Sequence, residues 1–234
     1  MTSHAPDAPS ASALSSNAPR PAALLFDLDG TLVDSKRDIA DAVCAALKDV
    51  GRAPLPVEAI VPMIGDGARA LVTRALGTDA ADTALLERTL SCFQRAYAAR
   101  PCVHTTLMPG AREALSIALP RAVVTNKPRA ITELVLESLG IAGAFSAIYA
   151  GGDGPLKPAP DGVIAAANAL GVPVSQAWLV GDGPQDVLAG RAAGCFTVVV
   201  PGIAERSRVL EARPDVVLAS LGELPALVER ASRA

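Results

Sequence analysis

Short apolar runs bounded by turn residues recur along this chain. They fall at residues 22–26, 122–124, 147–150, 178–180 and 197–200, with a shorter one at 216–218. Runs of this kind suit strands covered on both faces. Helical patterns alternate with them. Pro128 stands at a first-turn position, Ile131, Leu134 and Val135 form a stripe, and Gly140 is the stop. Pro160 opens another helix with Val163, Ile164, Ala167 and Leu170, stopped at Gly171, and residues 186–193 end at Gly194. The alternation predicts an α/β fold, a Rossmann-like doubly wound parallel sheet.

One connection breaks the rhythm. Strand-to-helix loops usually span about 2–6 residues, yet residues 35–105 separate the first two strands and read as helices. Ile39, Val43, Leu47 and Val50 form one stripe. Residues 57–64 and 68–76 are shorter candidates, and Leu86, Leu90, Phe93 and Tyr97 make a last stripe. The expected organisation is a disordered Ala/Pro/Ser-rich tail at 1–20, a catalytic core from 21–34 and 106–234, and an inserted helical cap at 35–105. The tail lacks the basic start and apolar run of a signal peptide.

Composition narrows the function. Of 234 residues, 50 % are hydrophobic and 19 % charged, which is globular, and the net charge of -3 comes with no basic stripe. Aromatic residues make up only 3 %, too few for base-stacking platforms, so no nucleic-acid partner is expected. The long uncharged stretch 162–181 contains Asn168, Pro173, Ser175 and Gln176, so no membrane span is expected either. Cys44, Cys92, Cys102 and Cys195 form no CxxC pair, and two histidines complete no zinc set. Scattered thiols of this kind read as reduced, in a cytoplasm.

In open parallel sheets, ligands bind beyond the carboxyl ends of the strands. Asp27 and Asp29 follow the first strand, Thr125 the second and Asp182 a later one, while Lys157 lies in a Gly/Pro-rich loop. Taken singly, each has a bland reading as a helix cap, a turn residue or a surface lysine. Asp-x-Asp-Gly-Thr, however, arises by chance in roughly 0.3 % of chains this long. Clustered carboxylates call for a cation, and hard oxygen donors favour magnesium. With a lysine for an anion, this is the equipment of phosphoryl transfer.

The residues 26–35, Phe-Asp-Leu-Asp-Gly-Thr-Leu-Val-Asp-Ser, resemble the first motif of the haloacid dehalogenase superfamily. Thr125-Asn126-Lys127-Pro128 is similar to the second motif, Lys157-Pro158-Ala159-Pro160 to the third, and residues 181–186 to the fourth. Val124 to Pro128, Gly151-Gly152-Asp153 and the cap segment Gly65 to Arg69 most resemble bacterial phosphoglycolate phosphatases. The fourth motif commonly reads Gly-Asp-Ser, but Gly183 stands in place of the serine, and the loop before Lys157 is shorter than in many relatives.

The resemblance implies a magnesium-dependent phosphatase of carbohydrate metabolism that hydrolyses 2-phosphoglycolate through an aspartyl phosphate. It gives Asp27 the role of nucleophile and Asp29 that of general acid and base. Magnesium would be held by Asp27, Asp182 and the backbone carbonyl of Asp29, with Asp186 supporting a metal-bound water or Lys157 from behind. Thr125, the backbone amide of Asn126 and Lys157 would hold phosphate oxygens, and Gly30 would let the backbone approach them. Arg69, in the first turn of a cap helix, would grip the substrate carboxylate. The expected partner is a small phosphorylated metabolite, and the expected assembly a monomer or homodimer. Another small phosphate ester and a hexose-phosphate mutase activity remain as alternatives. A carbon–halogen hydrolase needs neither Asp29 nor Asp182. An inactive binding module should lack one of Asp27, Asp29, Lys157 or Asp182, and all are present.

Overall fold

The computed structural model describes residues 18–233. Among the described residues, eight strands run as β1 (Ala23–Phe26), β2 (Val33–Asp34), β3 (Thr106–Leu107), β4 (Arg121–Pro128), β5 (Ala147–Gly151), β6 (Ala177–Gly181), β7 (Phe196–Val199) and β8 (Val216–Val217). Between them lie α1 (Lys36–Asp49), α2 (Val57–Ile60), α3 (Ala68–Leu76), α4 (Thr83–Ala99), α5 (Ala111–Leu115), α6 (Arg129–Ser138), α7 (Asp161–Ala169), α8 (Pro184–Ala193), α9 (Arg206–Glu211) and α10 (Leu224–Arg233).

Six strands form one parallel sheet in the order β5-β4-β1-β6-β7-β8. The chain moves outward from β1 on one side, then returns to β6 on the other, so the strand order reverses next to β1. Alternate residues of a strand face opposite sides. Leu24, Phe26, Val123, Trp178 and Val180 accordingly pack toward α5 and α10, whose Ala111, Ala114, Leu224 and Leu227 close that layer. Leu25, Ala122, Val124 and Leu179 meet Val163, Ala166 and Ala167 of α7 and Ala189 of α8 on the other face. Gly194, with φ of 75°, ends α8 in the left-handed conformation that only glycine adopts without strain.

Of the expected tail, residues 1–17 lie outside the described residues, but 18–20 belong to the fold. Ala18 packs against the main core, and the Pro19 carbonyl accepts a hydrogen bond from the Trp178 indole N–H at 3.0 Å. A fully buried indole needs such an acceptor, which sets the start of the fold earlier than the apolar pattern does.

The inserted helices form their own apolar cluster. Ile39, Val43, Leu47, Ile60, Leu71, Val72, Leu85, Phe93 and Tyr97 pack together and onto Ile131 and Val135 of α6. The buried face of α4 is Leu85, Thr89, Cys92, Phe93 and Tyr97, whereas Leu86 and Leu90 of the expected stripe are half-buried. Thr89 is tolerated inside because its hydroxyl donates to the Leu85 carbonyl at 2.7 Å.

The cap joins the core through a two-stranded ribbon too short to show as a sequence pattern. In it, β2 and β3 pair antiparallel, Val33 opposite Leu107 and Asp34 opposite Thr106. Asp38, buried at the start of α1, secures the return strand. Its carboxylate accepts from the backbone N–H groups of Val103, His104 and Thr105 and from the Thr105 hydroxyl, at 2.6–3.0 Å. Burial works against the charged form, but these donors outweigh it and hold the carboxyl below its ordinary value. A depressed carboxylate stabilises the fold above its unfolded value and ceases to do so as pH falls through the folded one. Asp38→Ala is expected to cost roughly 3 kcal/mol at pH 7, lowering Tm by ~6–12 °C. The gap between the two proteins in thermal scans should shrink below about pH 4, and a gap unchanged down to pH 2 would contradict this.

Among the described residues no helix is long and apolar enough to cross a membrane.

Candidate active site

The carboxyl ends of β1, β4 and β6 open into one cavity of about 420 Å³, roofed by α3, α4 and the segment before α3. Asp27, Asp29, Thr125, Asn126, Lys157, Asp182 and Asp186 all line it. Strand order brings them together: β4 and β6 flank β1, so residues far apart in the chain end at the same edge.

Lys157 joins two of the carboxylates. Its Nζ lies 2.8 Å from Asp27 Oδ1 and 2.6 Å from Asp186 Oδ1. Asp186 is oriented in turn by the Gly183 N–H, which donates to its Oδ2 at 3.0 Å. Asp182 accepts from the Ile203 N–H at 2.5 Å and from the Thr31 hydroxyl at 3.4 Å. Burial pushes the Asp27 carboxyl up to about 6, with Asp186 and Asp29 adding to the effect and Lys157 opposing it. Burial, then Asp27 and Asp186, push Asp182 up to about 7. Burial disfavours the Lys157 ammonium, but Asp186 and Asp27 more than offset that and the net shift is upward.

One ammonium does not balance this cluster. Oxygens of Asp27, Asp182 and Asp186 all lie within 4.8 Å of one another. Three hard donors at that spacing fit a divalent cation.

Asn126 does more than the expected role for its backbone amide. Its side chain accepts from the Lys157 N–H at 2.8 Å and donates to the carbonyls of Lys157 and of Gly65 in the cap, each at 2.9 Å. Gln185 makes a second tie, donating to Asp66 of the cap at 2.5 Å. The place of the missing motif serine is part of this arrangement. A Cβ at Gly183 would lie 2.6 Å from the Gln185 amide oxygen.

Two sequence expectations change. Gly30 does not line the cavity. Its φ is +90°, and a Cβ there would lie 2.4 Å from Asp182 Oδ2, so glycine is needed to admit that carboxylate. Arg69 is outside too. Its guanidinium pairs with Glu87 of α4 at 2.7 Å, both side chains half-exposed. The inward face of α3 belongs to Leu71, Val72 and Leu76, which turns Arg69 toward α4. The arginines lining the cavity are Arg74 and Arg208. Arg74 donates to the Met63 carbonyl at 2.8 Å and pairs with Asp66.

Lys127 and Tyr97 were not among the expected site residues. Lys127 Nζ lies 2.8 Å from Asp29 Oδ1 and 2.6 Å from the Tyr97 hydroxyl. The available signal was a lysine within a buried strand, where an unpaired charge is not tolerated. Tyr97 lay in an apolar stripe, which hid its hydroxyl.

The family model for haloacid dehalogenase-like hydrolases matches residues 21–194. The chain belongs to this family. It is 36 % identical over 214 residues to the phosphoglycolate phosphatase of Neisseria meningitidis, covering 86 % of this chain and 91 % of that protein. The Pseudomonas syringae pv. tomato phosphoglycolate phosphatase is also 36 % identical over 214 residues, covering 87 % of this chain and 78 % of its own. A crystal structure of a predicted phosphoglycolate phosphatase from Haemophilus somnus 129pt superimposes with a TM-score of 0.81 at 28 % identity, covering 89 % of this chain and 98 % of that one. As a haloacid dehalogenase-like hydrolase with these relatives, the chain is an enzyme of the phosphatase class. The family generally works with a divalent metal.

Proposed function

We propose that this enzyme hydrolyses 2-phosphoglycolate to glycolate and phosphate, with magnesium, through an aspartyl phosphate on Asp27. The observation that carries the reading is the meeting of Asp27, Asp182, Asp186 and Lys157 in one cap-covered cavity. The relatives' names support the substrate.

Asp27 attacks phosphorus as the bond from phosphorus to the alcohol oxygen breaks, and a proton from Asp29 passes to that oxygen. Water then attacks the same phosphorus, its proton returns to Asp29, and the bond to Asp27 breaks, releasing phosphate. Lys157 steadies the nucleophile and the charge on the transferring group, and Thr125 and the Asn126 backbone amide hold its oxygens. Asp27, Asp182 and the Asp29 carbonyl, with Asp186 beside them, would hold magnesium, which would supply positive charge to offset repulsion between carboxylate and phosphate. Cap contacts through Asn126 and Gln185 tie the cap down over the site. The four free cysteines agree with a cytoplasmic setting.

The carboxylate of the substrate is assigned to Arg74, with Arg208 nearby, in place of Arg69. Phosphate release should be measured on 2-phosphoglycolate, sugar phosphates and p-nitrophenyl phosphate. Arg74→Ala is expected to lower kcat/KM on phosphoglycolate by about 10²-fold and on p-nitrophenyl phosphate far less. Arg69→Ala should stay within about twofold on both, since an exposed pair contributes little. A wild-type preference for sugar phosphates would overturn the substrate.

A further inference from the structure

Asp29 sits in a set of contacts that the proposed chemistry does not by itself require. Its Oδ1 accepts from the Ser35 hydroxyl at 2.5 Å and from Lys127 Nζ at 2.8 Å, while Oδ2 has only a longer contact with Lys127, at 3.1 Å. Lys127 is buried, its side chain 2 % exposed, and it extends from β4 of the core. Its remaining partner comes from the cap. The Tyr97 hydroxyl accepts from Nζ at 2.6 Å, and the ammonium lies 4.4 Å from the centre of the Tyr97 ring. The ring is held edge-on by Phe93, centroids 5.7 Å apart, inside the cap's apolar cluster. Burial pushes the Tyr97 hydroxyl up to about 12, so it is a neutral group at working pH.

We infer that Lys127 and Tyr97 are positioning residues for Asp29: the cap-borne hydroxyl fixes the Lys127 ammonium, which with Ser35 holds the Asp29 carboxylate in place at the cavity. The inference rests on the acid–base role proposed for Asp29. A buried ammonium has three donors to satisfy. With Tyr97 withdrawn, one partner is lost and Lys127 is free to swing, carrying Asp29 with it. The acid is therefore fully aligned only while the cap is docked, which ties proton delivery to the state in which water is excluded. Tertiary placement alone creates this, since Lys127 and Asp29 are 98 residues apart in the chain.

A leaving-group comparison tests it. An alkyl phosphate needs its departing oxygen protonated, and p-nitrophenyl phosphate does not. The quantity to read is kcat/KM, which reports steps through formation of the aspartyl phosphate. Tyr97→Phe keeps the ring and removes the hydroxyl. It is expected to lower kcat/KM on 2-phosphoglycolate and on n-propyl phosphate by about tenfold, and on p-nitrophenyl phosphate by about twofold. Lys127→Met should widen the same split to about 10²-fold on the alkyl esters. Should Lys127→Met fold poorly, Tyr97→Phe decides alone. Because n-propyl phosphate has no carboxylate, its following phosphoglycolate assigns the loss to proton delivery rather than substrate grip. Equal losses on all three esters, or losses confined to phosphoglycolate, would overturn the inference. Asp29→Asn is the control. If it shows no leaving-group split, the acid–base reading of Asp29 itself fails, and if it shows the split while Tyr97→Phe does not, only the positioning inference fails.

Discussion

Asp27→Asn is expected to fold and to lose turnover by about 10⁴-fold or more. An amide has the size of the carboxylate but cannot form an acyl phosphate by attack on phosphorus. Folding should survive because two effects oppose each other. The substitution gives up the 2.8 Å ion pair with Lys157, whose second partner Asp186 remains at 2.6 Å. It also removes one of three mutually repelling carboxylates that share a site within 4.8 Å. The check is phosphate release on purified protein with a Tm within a few degrees of wild type. Activity within tenfold of wild type in such a sample would refute Asp27 as nucleophile.

Stripping divalent cations with EDTA is expected to abolish turnover, and added magnesium to restore it. With Asp27, Asp182 and Asp186 converging on one point, a carboxylate can meet a phosphate dianion only if their repulsion is offset. Magnesium imposes near-octahedral geometry at about 2.0–2.1 Å, whereas calcium takes about 6–8 ligands at longer distances. Calcium should therefore bind but restore little activity, because it leaves the nucleophile misplaced. Binding can be read apart from turnover. Magnesium should raise Tm by mass action on the folded state, and the rise should shrink in Asp182→Asn. Full activity in metal-free enzyme would end this account.

Much of the site was legible before any fold was known. Asp27, Thr125 and Asp182 stand at the ends of apolar runs, and a run buried on both faces of a parallel sheet delivers its last residues to one edge. Lys157 and Asp186 were legible from the motifs. Lys127 was not, although it lies within one of the quoted segments, because a pattern of apolar positions says nothing about what a buried charge meets. The direction of Arg69 was not legible for a related reason. A helix start is visible in sequence, but the direction its first-turn side chains take depends on how α3 is rotated against α4, where Glu87 captures the guanidinium.

The sequence by itself determined the alternation of strands and helices, the insertion of a helical cap after β1, and the strand-end positions of the acidic residues. These follow from local preferences: period, turn residues and caps act within a few positions of one another. Only the tertiary structure decided which arginines face the cavity, that Gly30 makes room for Asp182, that Asp38 secures the returning strand of the cap ribbon, and that Tyr97 reaches through Lys127 to Asp29. Each of these brings together groups from separate elements at close range. Such distances are set by sheet order and by the seat of the cap on α6, which no local pattern encodes.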